Sequence, residues 1–424
     1  MTAIISLRGF FQLLYLPVLL LITTVKHYTV GTELRKYKNS LLSVLKITAI
    51  RTALSLDVGD TRIFGLVTNN FVLQKAIGSR YNDITRGLNG YGTKYDENSY
   101  WIVKQPNRDP SDPILYFLHG GAYFLQTSPQ QLESIIGMYK LLDPEVQSKT
   151  SILLLDYKLV GNGHTFPTQI NQLHQSYQNL TVRDKNTNIG LIGDSAGGNL
   201  SVIYTQYLKS LERSKVLKNP IYPRTMVLIS PWINLQPELE QYGPGHSYYD
   251  NFKYDLIQYK YFMKPDSLAY LLGKEPLRSL LVSPNSKLPH SADDWSDIPT
   301  YADENSNIFV IAGEDESFRD DILKFAEFAL ECPFYSENSY GSTPMEINPK
   351  LHHYIRPNQP GKAGVELYVE PWGVHDALFF ENHSLAKIMD LEKHEKVADC
   401  TFWSDAEFFA TKRIVEFLNR VLAS

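Results

Sequence analysis

Short apolar runs recur along this chain from residue 114 onward, at intervals that leave room for a helix between them. Ile114–Leu118 (ILYFL), Ser151–Tyr157 (SILLLDY), Ile189–Ile192, Met226–Ile229, Asn307–Ala312 (NIFVIA) and Val365–Glu370 (VELYVE) are the clearest. None alternates between apolar and polar residues, and each ends in a turn-forming sequence. That is the pattern of strands buried on both faces of a parallel sheet. Strands alternating with helices predict a doubly wound α/β sheet whose functional site lies at the carboxyl ends of the strands. Ser99–Lys104 reads as an edge strand, Phe166-Pro167 as a helix opening, and Asp405–Leu422 as a closing amphipathic helix.

Three stretches break this rhythm. Residues 82–100, rich in Gly, Asn and Asp, read as loop. Residues 235–301 contain no clear buried strand and carry many Pro and Tyr, as an insertion over the site would, and 331–364 reads as a second insertion. The expected organisation is therefore an N-terminal segment over 1–30, a linker or cap region over 31–98, and a catalytic domain over 99–424.

The first segment is apolar all round. Phe10–Val25 is interrupted only by Gln12 and Pro17, and extension back to Ile4 gives about the length a bilayer requires. No small-x-small cleavage site follows, which favours a retained anchor over a removed signal peptide; an interfacial or buried helix is the alternative. Leu34–Leu56 has apolar residues at helical spacing, broken by Lys46 and Arg51, and reads as an amphipathic helix that either lies on a membrane or caps the site.

The strand ends carry the chemistry. Ile189–Ile192 runs into Gly193-Asp194-Ser195-Ala196-Gly197 and then directly into helix-compatible sequence, which is a Gly-x-Ser-x-Gly turn in strand–turn–helix context. Such a turn presents a serine hydroxyl at the sheet edge, with the Ala196 N–H aimed at the same point. The motif arises by chance in roughly one chain in ten of this length, so its neighbours matter. Ile114–Leu118 ends in His119-Gly120-Gly121-Ala122, whose bare backbone suits the second half of an oxyanion hole. Asn307–Ala312 ends in Gly313-Glu314-Asp315-Glu316-Ser317, and Val365–Glu370 ends in Pro371-Trp372-Gly373-Val374-His375. Serine, then acid, then histidine is the chain order of an α/β-hydrolase triad. His375 is the histidine that directly follows a predicted strand beyond the acid.

Composition excludes more than it selects. With 43% hydrophobic and 21% charged residues the chain is an ordinary globular one, and a net charge of −5 offers no basic footprint for nucleic acid. Cys332 and Cys400 are too few for a disulfide framework or a zinc site; they leave one bridge or two thiols. Lys26, Arg35, Lys36 and Lys38 follow the apolar segment and argue for a cytosolic bulk. Sequons at Asn179, Asn199 and Asn382 permit the opposite, although Asn199, just past the nucleophile turn, should be too buried to be glycosylated.

Taken together, His119-Gly-Gly-Ala122, Tyr157-Lys-Leu159, Phe166-Pro167, Gly193-Asp-Ser-Ala-Gly-Gly-Asn199, Ser230-Pro-Trp232, Asp315–Asp320 and Gly373-Val-His375 resemble the hormone-sensitive-lipase type of α/β-hydrolase, in that family's order, over about residues 100–380. The apolar N-terminus and the total length resemble the fungal steryl acetyl hydrolases. The resemblance implies an α/β-hydrolase fold with Ser195 as nucleophile, His375 as base and Asp315 as its partner. It implies an oxyanion hole from Gly120, Gly121 and Ala196, and neither metal nor organic cofactor. It also implies a lipophilic ester substrate, acetylated sterols above all, and a single-pass anchor in the endoplasmic reticulum membrane with the catalytic domain in the lumen. A long-chain lipase or amidase on the same triad, or a non-catalytic binding protein of this fold, are the alternatives. The acid motif departs from the family pattern. Glu316-Ser317 stand where Pro-Leu is usual, which keeps the neighbours of Asp315 as candidates.

Overall fold

In the computed structural model, which describes residues 5–258, 265–333, 340, 345–381, 384–394, 399–401 and 403–423, nine strands form one sheet. They are β1 (Lys94–Asp96), β2 (Ser99–Val103), β3 (Ile114–Leu118), β4 (Ser151–Leu155), β5 (Ile189–Asp194), β6 (Thr225–Ile229), β7 (Asn307–Gly313), β8 (His353–Arg356) and β9 (Gly364–Glu370). Their order is β1-β2-β4-β3-β5-β6-β7-β9-β8. The run from β4 to β9 is parallel; β1 and β2 at one edge and β8 at the other are antiparallel. All six apolar runs are strands of the parallel part.

Those strands are apolar on both sides because both faces are covered. Along β3, Ile114, Tyr116 and Leu118 join one core while Leu115 and Phe117 join the other. The helix after β5, Ser195–Arg213, buries Leu200, Ile203, Tyr204 and Leu208 against the first core, an i, i+3/i+4 stripe. The C-terminal helix buries Phe409, Ile414, Phe417 and Leu418 against the second. It begins at Phe409 rather than Asp405, and the Glu381 carboxylate accepts from the N–H groups of Ala410 (2.6 Å) and Thr411 (3.1 Å) in its first turn.

Strand register brings the chemistry-bearing loops together. Leu118 pairs with Gly193, so the His119-Gly120-Gly121 loop leaves the sheet beside the nucleophile turn. Gly313 pairs with Glu370, so the loop after β7 and the loop holding His375 leave side by side.

Several expectations required change. Residues 82–100 are not all loop: Asn82–Arg86 is a helical turn, and β1 adds a strand through a bulged register. The stretch 331–364 contains β8, whose mixed sequence HYIR suits a half-covered edge. The N-terminal helix α1 spans Leu7–Thr29, longer at both ends than the apolar core. Leu34–Leu56 divides into a short turn at Arg35–Tyr37 and the helix α2, Leu41–Leu54, started by Ser40. Cys332 and Cys400 are both buried and are not bridged to each other. Asn199 is fully buried, accepting from Tyr123 and donating to the Val282 carbonyl, as expected. Asn179 donates to Asp96 at 2.9 Å, and Asn382 lies outside the described residues.

Candidate active site

The nucleophile turn is strained and tightly packed. Ser195 sits at φ 49°, in the left-handed region that non-glycine residues rarely adopt. A Cβ on Gly193 would lie 2.3 Å from the Gly197 carbonyl oxygen, and one on Gly197 would lie 1.8 Å from that of Leu118. Both glycines are therefore dictated by close approach of backbone. The turn is also tied down from outside, because the Trp232 N–H donates to the Ser195 carbonyl at 2.9 Å.

Asp194 fastens the glycine loop to this turn. Its carboxylate accepts from the Gly120 N–H (2.9 Å) and from the Gln131 side chain (2.7 Å). Gln131 is simultaneously the N3 residue of a capping box with Ser128, at the start of the helix Pro129–Lys140. Burial pushes the Asp194 carboxyl up to about 7, against the pull of these two donors. The Gly120 N–H, expected to face an oxyanion, is thus spent on Asp194. Among the described residues, the backbone N–H groups of Gly121, Ala122 and Ala196 make no intramolecular hydrogen bond. His119 stacks on Tyr157 with centroids 4.1 Å apart, and burial pushes its imidazole down to about 4. It stays neutral and shapes the loop.

Ser195 and His375 line one cavity of about 290 Å³ with Gly120, Gly121 and Ala122. The remaining wall is largely apolar: Ala49, Ile50 and Leu54 of α2, Leu256 and Ile257 of the 235–301 insertion, and Phe379 and Phe380. Lys46 and Gln130 add polar groups. Residues of α2 thus form one wall of the cavity, which is the placement the cap reading of Leu34–Leu56 requires.

The acid loop is not arranged as the sequence suggests. Asp315 turns away from His375 and forms a bidentate ion pair with Arg35. Glu316 faces the histidine: its Oε1 lies 3.7 Å from His375 Nδ1, and neither atom has a hydrogen-bond partner. Its other oxygen is held by the Ser230 hydroxyl (2.6 Å) and the Gly313 N–H (2.6 Å). Ser230 in turn accepts from the Asp376 N–H at 3.0 Å. Glu314 accepts from the Trp372 N–H at 3.0 Å and takes no part at His375.

Two more carboxylates surround the imidazole. Asp255, from the 235–301 insertion, accepts from the His375 N–H (2.7 Å) and the Ser317 N–H (2.8 Å), which clamps the acid and histidine loops together. Asp376 places an oxygen 3.3 Å from His375 Nε2. Burial pulls the His375 pKa down, but the charges of Asp376, Glu316 and Asp255 outweigh it and lift it to about 9. Burial pushes the Asp376 carboxyl well above its ordinary range, against the pull of the His375 charge.

Sequence reasoning singled out neither Asp255 nor Asp376. Asp376 directly follows His375, but nothing in the sequence fixes its rotamer. Asp255 lies in a stretch with no periodic pattern.

Residues 69–356 match the model of the family described as steryl acetyl hydrolase. The chain belongs to the steryl acetyl hydrolase family. Among its relatives, mug81 of Schizosaccharomyces pombe, whose name assigns it to the steryl acetyl hydrolases, is 32% identical over 332 residues, covering 76% of this chain and 84% of its own. Steryl acetyl hydrolase 1 of Saccharomyces cerevisiae is 31% identical over 139 residues, 32% of this chain and 30% of its own. A crystal structure of an esterase from the bacterial hormone-sensitive lipase family matches 89% of this chain and 96% of its own at 19% identity with a TM-score of 0.50, a likeness of fold.

Proposed function

We propose that this chain is a serine carboxylic-ester hydrolase that deacetylates apolar alcohols, sterols above all, through an acyl-enzyme. The observation that carries it is the shared cavity of a strained Ser195 and His375, flanked by backbone N–H groups without acceptors. Ser195 Oγ attacks the ester carbonyl while His375 Nε2 takes its proton. The tetrahedral oxyanion is received by the N–H groups of Gly121 and Ala196, with Ala122 beside them; each such donor is typically worth about 10² to 10³ in rate. Gly120 serves by holding the loop on Asp194. His375 then protonates the departing alkoxide and activates the water that releases acetate.

Glu316, not Asp315, is the group assigned to orient His375. Its free oxygen faces Nδ1, and closing the 3.7 Å gap makes the hydrogen bond that fixes the tautomer. Asp315 belongs to the cap's attachment. Through Arg35–Asp315 and the buried Lys36–Glu370 pair, the segment before α2 is pinned to the two loops that carry the acid and the base.

The family, the apolar cavity and the anchor-like helix support the substrate reading. Helix α1 is 23 residues long and exposes Leu7, Phe10, Phe11, Leu14 and Leu21. By length and composition it could cross a membrane. An anchor there, in the endoplasmic reticulum with the domain in the lumen, would set the cavity beside lipid-dissolved esters. The test is hydrolysis by purified full-length protein of cholesteryl acetate, 4-nitrophenyl acetate and a long-chain triacylglycerol. Acetate release from the first two, lost in Ser195→Ala, supports the proposal. Comparable rates on the triacylglycerol favour a lipase.

A further inference from the structure

A second, smaller cavity of about 100 Å³ adjoins the catalytic one, and both are lined by Leu54, Ala122 and Leu125. Its other walls are mostly apolar: Leu56 and Val58 after α2, Phe124 beside the glycine loop, and Leu235, Leu268 and Leu271 from the 235–301 insertion. Neither Ser195 nor His375 lines it, and it meets the glycine loop through Ala122.

The three shared residues differ in what they can do. Ala122 stands at φ 55° in the glycine loop, and Leu125 is tied to that loop because its N–H donates to the Gly121 carbonyl at 2.9 Å. A change at either disturbs the oxyanion donors. Leu54 is the last residue of α2 and belongs to the cap. It is the part of the partition that can change size without touching the reacting atoms.

We propose that the second cavity receives the far end of a long, rigid, apolar alcohol, and that Leu54 is the specificity-determining residue that sets how large an alcohol is accepted. This rests on the esterase reading of Ser195 and adds the direction in which the substrate lies. An acetyl group has only two carbons, so the part of an acetate ester large enough to fill the second cavity is its alcohol. A rigid ring system loses little conformational freedom on threading an apolar passage, whereas a flexible chain loses more.

The experiment measures kcat and KM of full-length Leu54→Trp and Leu54→Ala on three esters: 4-nitrophenyl acetate, cholesteryl acetate and 4-nitrophenyl palmitate. Leu54→Trp is expected to lower kcat/KM on cholesteryl acetate at least tenfold, mainly through KM, and to lower it far less on 4-nitrophenyl acetate. Leu54→Ala should retain cholesteryl acetate and raise its ratio to the small acetate. Should Leu54→Trp fail to fold, Leu268→Trp, on the far wall of the small cavity and outside the catalytic one, is expected to give the same split. Equal losses on both acetates, or no loss on cholesteryl acetate, overturn the proposal. A selective loss on the palmitate overturns it in favour of an acyl-chain site. Wild-type protein that cleaves 4-nitrophenyl acetate but not cholesteryl acetate also overturns it. Turnover of 4-nitrophenyl acetate that survives Ser195→Ala is the separate outcome that sinks the esterase reading itself.

Discussion

Glu316→Gln separates the acid that faces His375 from the acid that the chain order suggests. The glutamine carbonyl can keep accepting from Ser230 and Gly313, the partners of Glu316 Oε2. Its amide then points N–H toward His375 Nδ1, where the carboxylate oxygen stood 3.7 Å away. A donor at that place requires Nδ1 to be the bare nitrogen, so the proton moves to Nε2 and the imidazole cannot take one from Ser195. The comparable loss in a serine triad is about 10⁴ in kcat. The resting gap here exceeds a hydrogen bond, so a loss of about 10² to 10⁴ is expected, or ~2.7–5.4 kcal/mol at 1.36 kcal/mol per decade. KM should change little, because Glu316 is absent from the cavity wall. Asp315→Asn should leave kcat within about threefold, since its carboxylate serves Arg35. Glu314→Gln should be as mild. The assay is steady-state hydrolysis of 4-nitrophenyl acetate, with melting temperature as the control for folding. A kcat loss above a hundredfold in Asp315→Asn, beside less than tenfold in Glu316→Gln, would refute the assignment and restore Asp315.

Ser195→Ala should abolish turnover and fluorophosphonate labelling without lowering the melting temperature, because the strain at φ 49° is not relied on for packing. Arg35→Ala should cost about 3–5 kcal/mol by leaving a buried Asp315 carboxylate unpaired, seen as a fall in denaturant midpoint; Arg35→Met with Asp315→Leu should recover most of it, and a double variant no better than the single would contradict this. The free base of His375 is the reactive form, so with its pKa lifted to about 9 the activity should climb between pH 7 and 9, and Asp376→Asn should move that limb to lower pH. The linked stability has the opposite sign: a histidine raised from 6.5 stabilises most below that value and loses its contribution as pH rises through about 9, so wild-type melting temperature should fall over this range and fall less in Asp376→Asn. An unchanged limb in Asp376→Asn would show that this carboxylate does not set the charge of the base. Deleting residues 1–30 should free the protein from carbonate-washed membranes, and it also removes the Ser6–Asp60 contact that ties α1 to the chain just after α2; retained membrane binding would implicate α2 itself.

The parallel sheet was legible residue by residue, because strands covered on both faces must be apolar throughout and no other short element demands that. Ser195 and His375 were legible for a related reason. A nucleophile turn requires glycines where backbone meets backbone, and a base in this fold follows the last parallel strand. β1 and β8 were not legible, since edge strands satisfy half their backbone with solvent and need no continuous apolar run. The carboxylate that faces His375 is Glu316, one residue beyond the acid read from the sequence. Consecutive side chains on a tight loop point in different directions, and which one reaches His375 depends on Ser230 from the neighbouring strand and on Arg35, which claims Asp315 from 280 residues away. Likewise the Gly120 N–H belongs to Asp194 only once β3 and β5 pair in register. Sequence by itself determined the fold and pointed to Ser195 and His375 as candidates, through local backbone demands and patterned burial. The tertiary structure alone decided which carboxylate faces His375, which N–H groups stay free and what roofs the cavity, because those are contests among groups that meet only when distant segments pack.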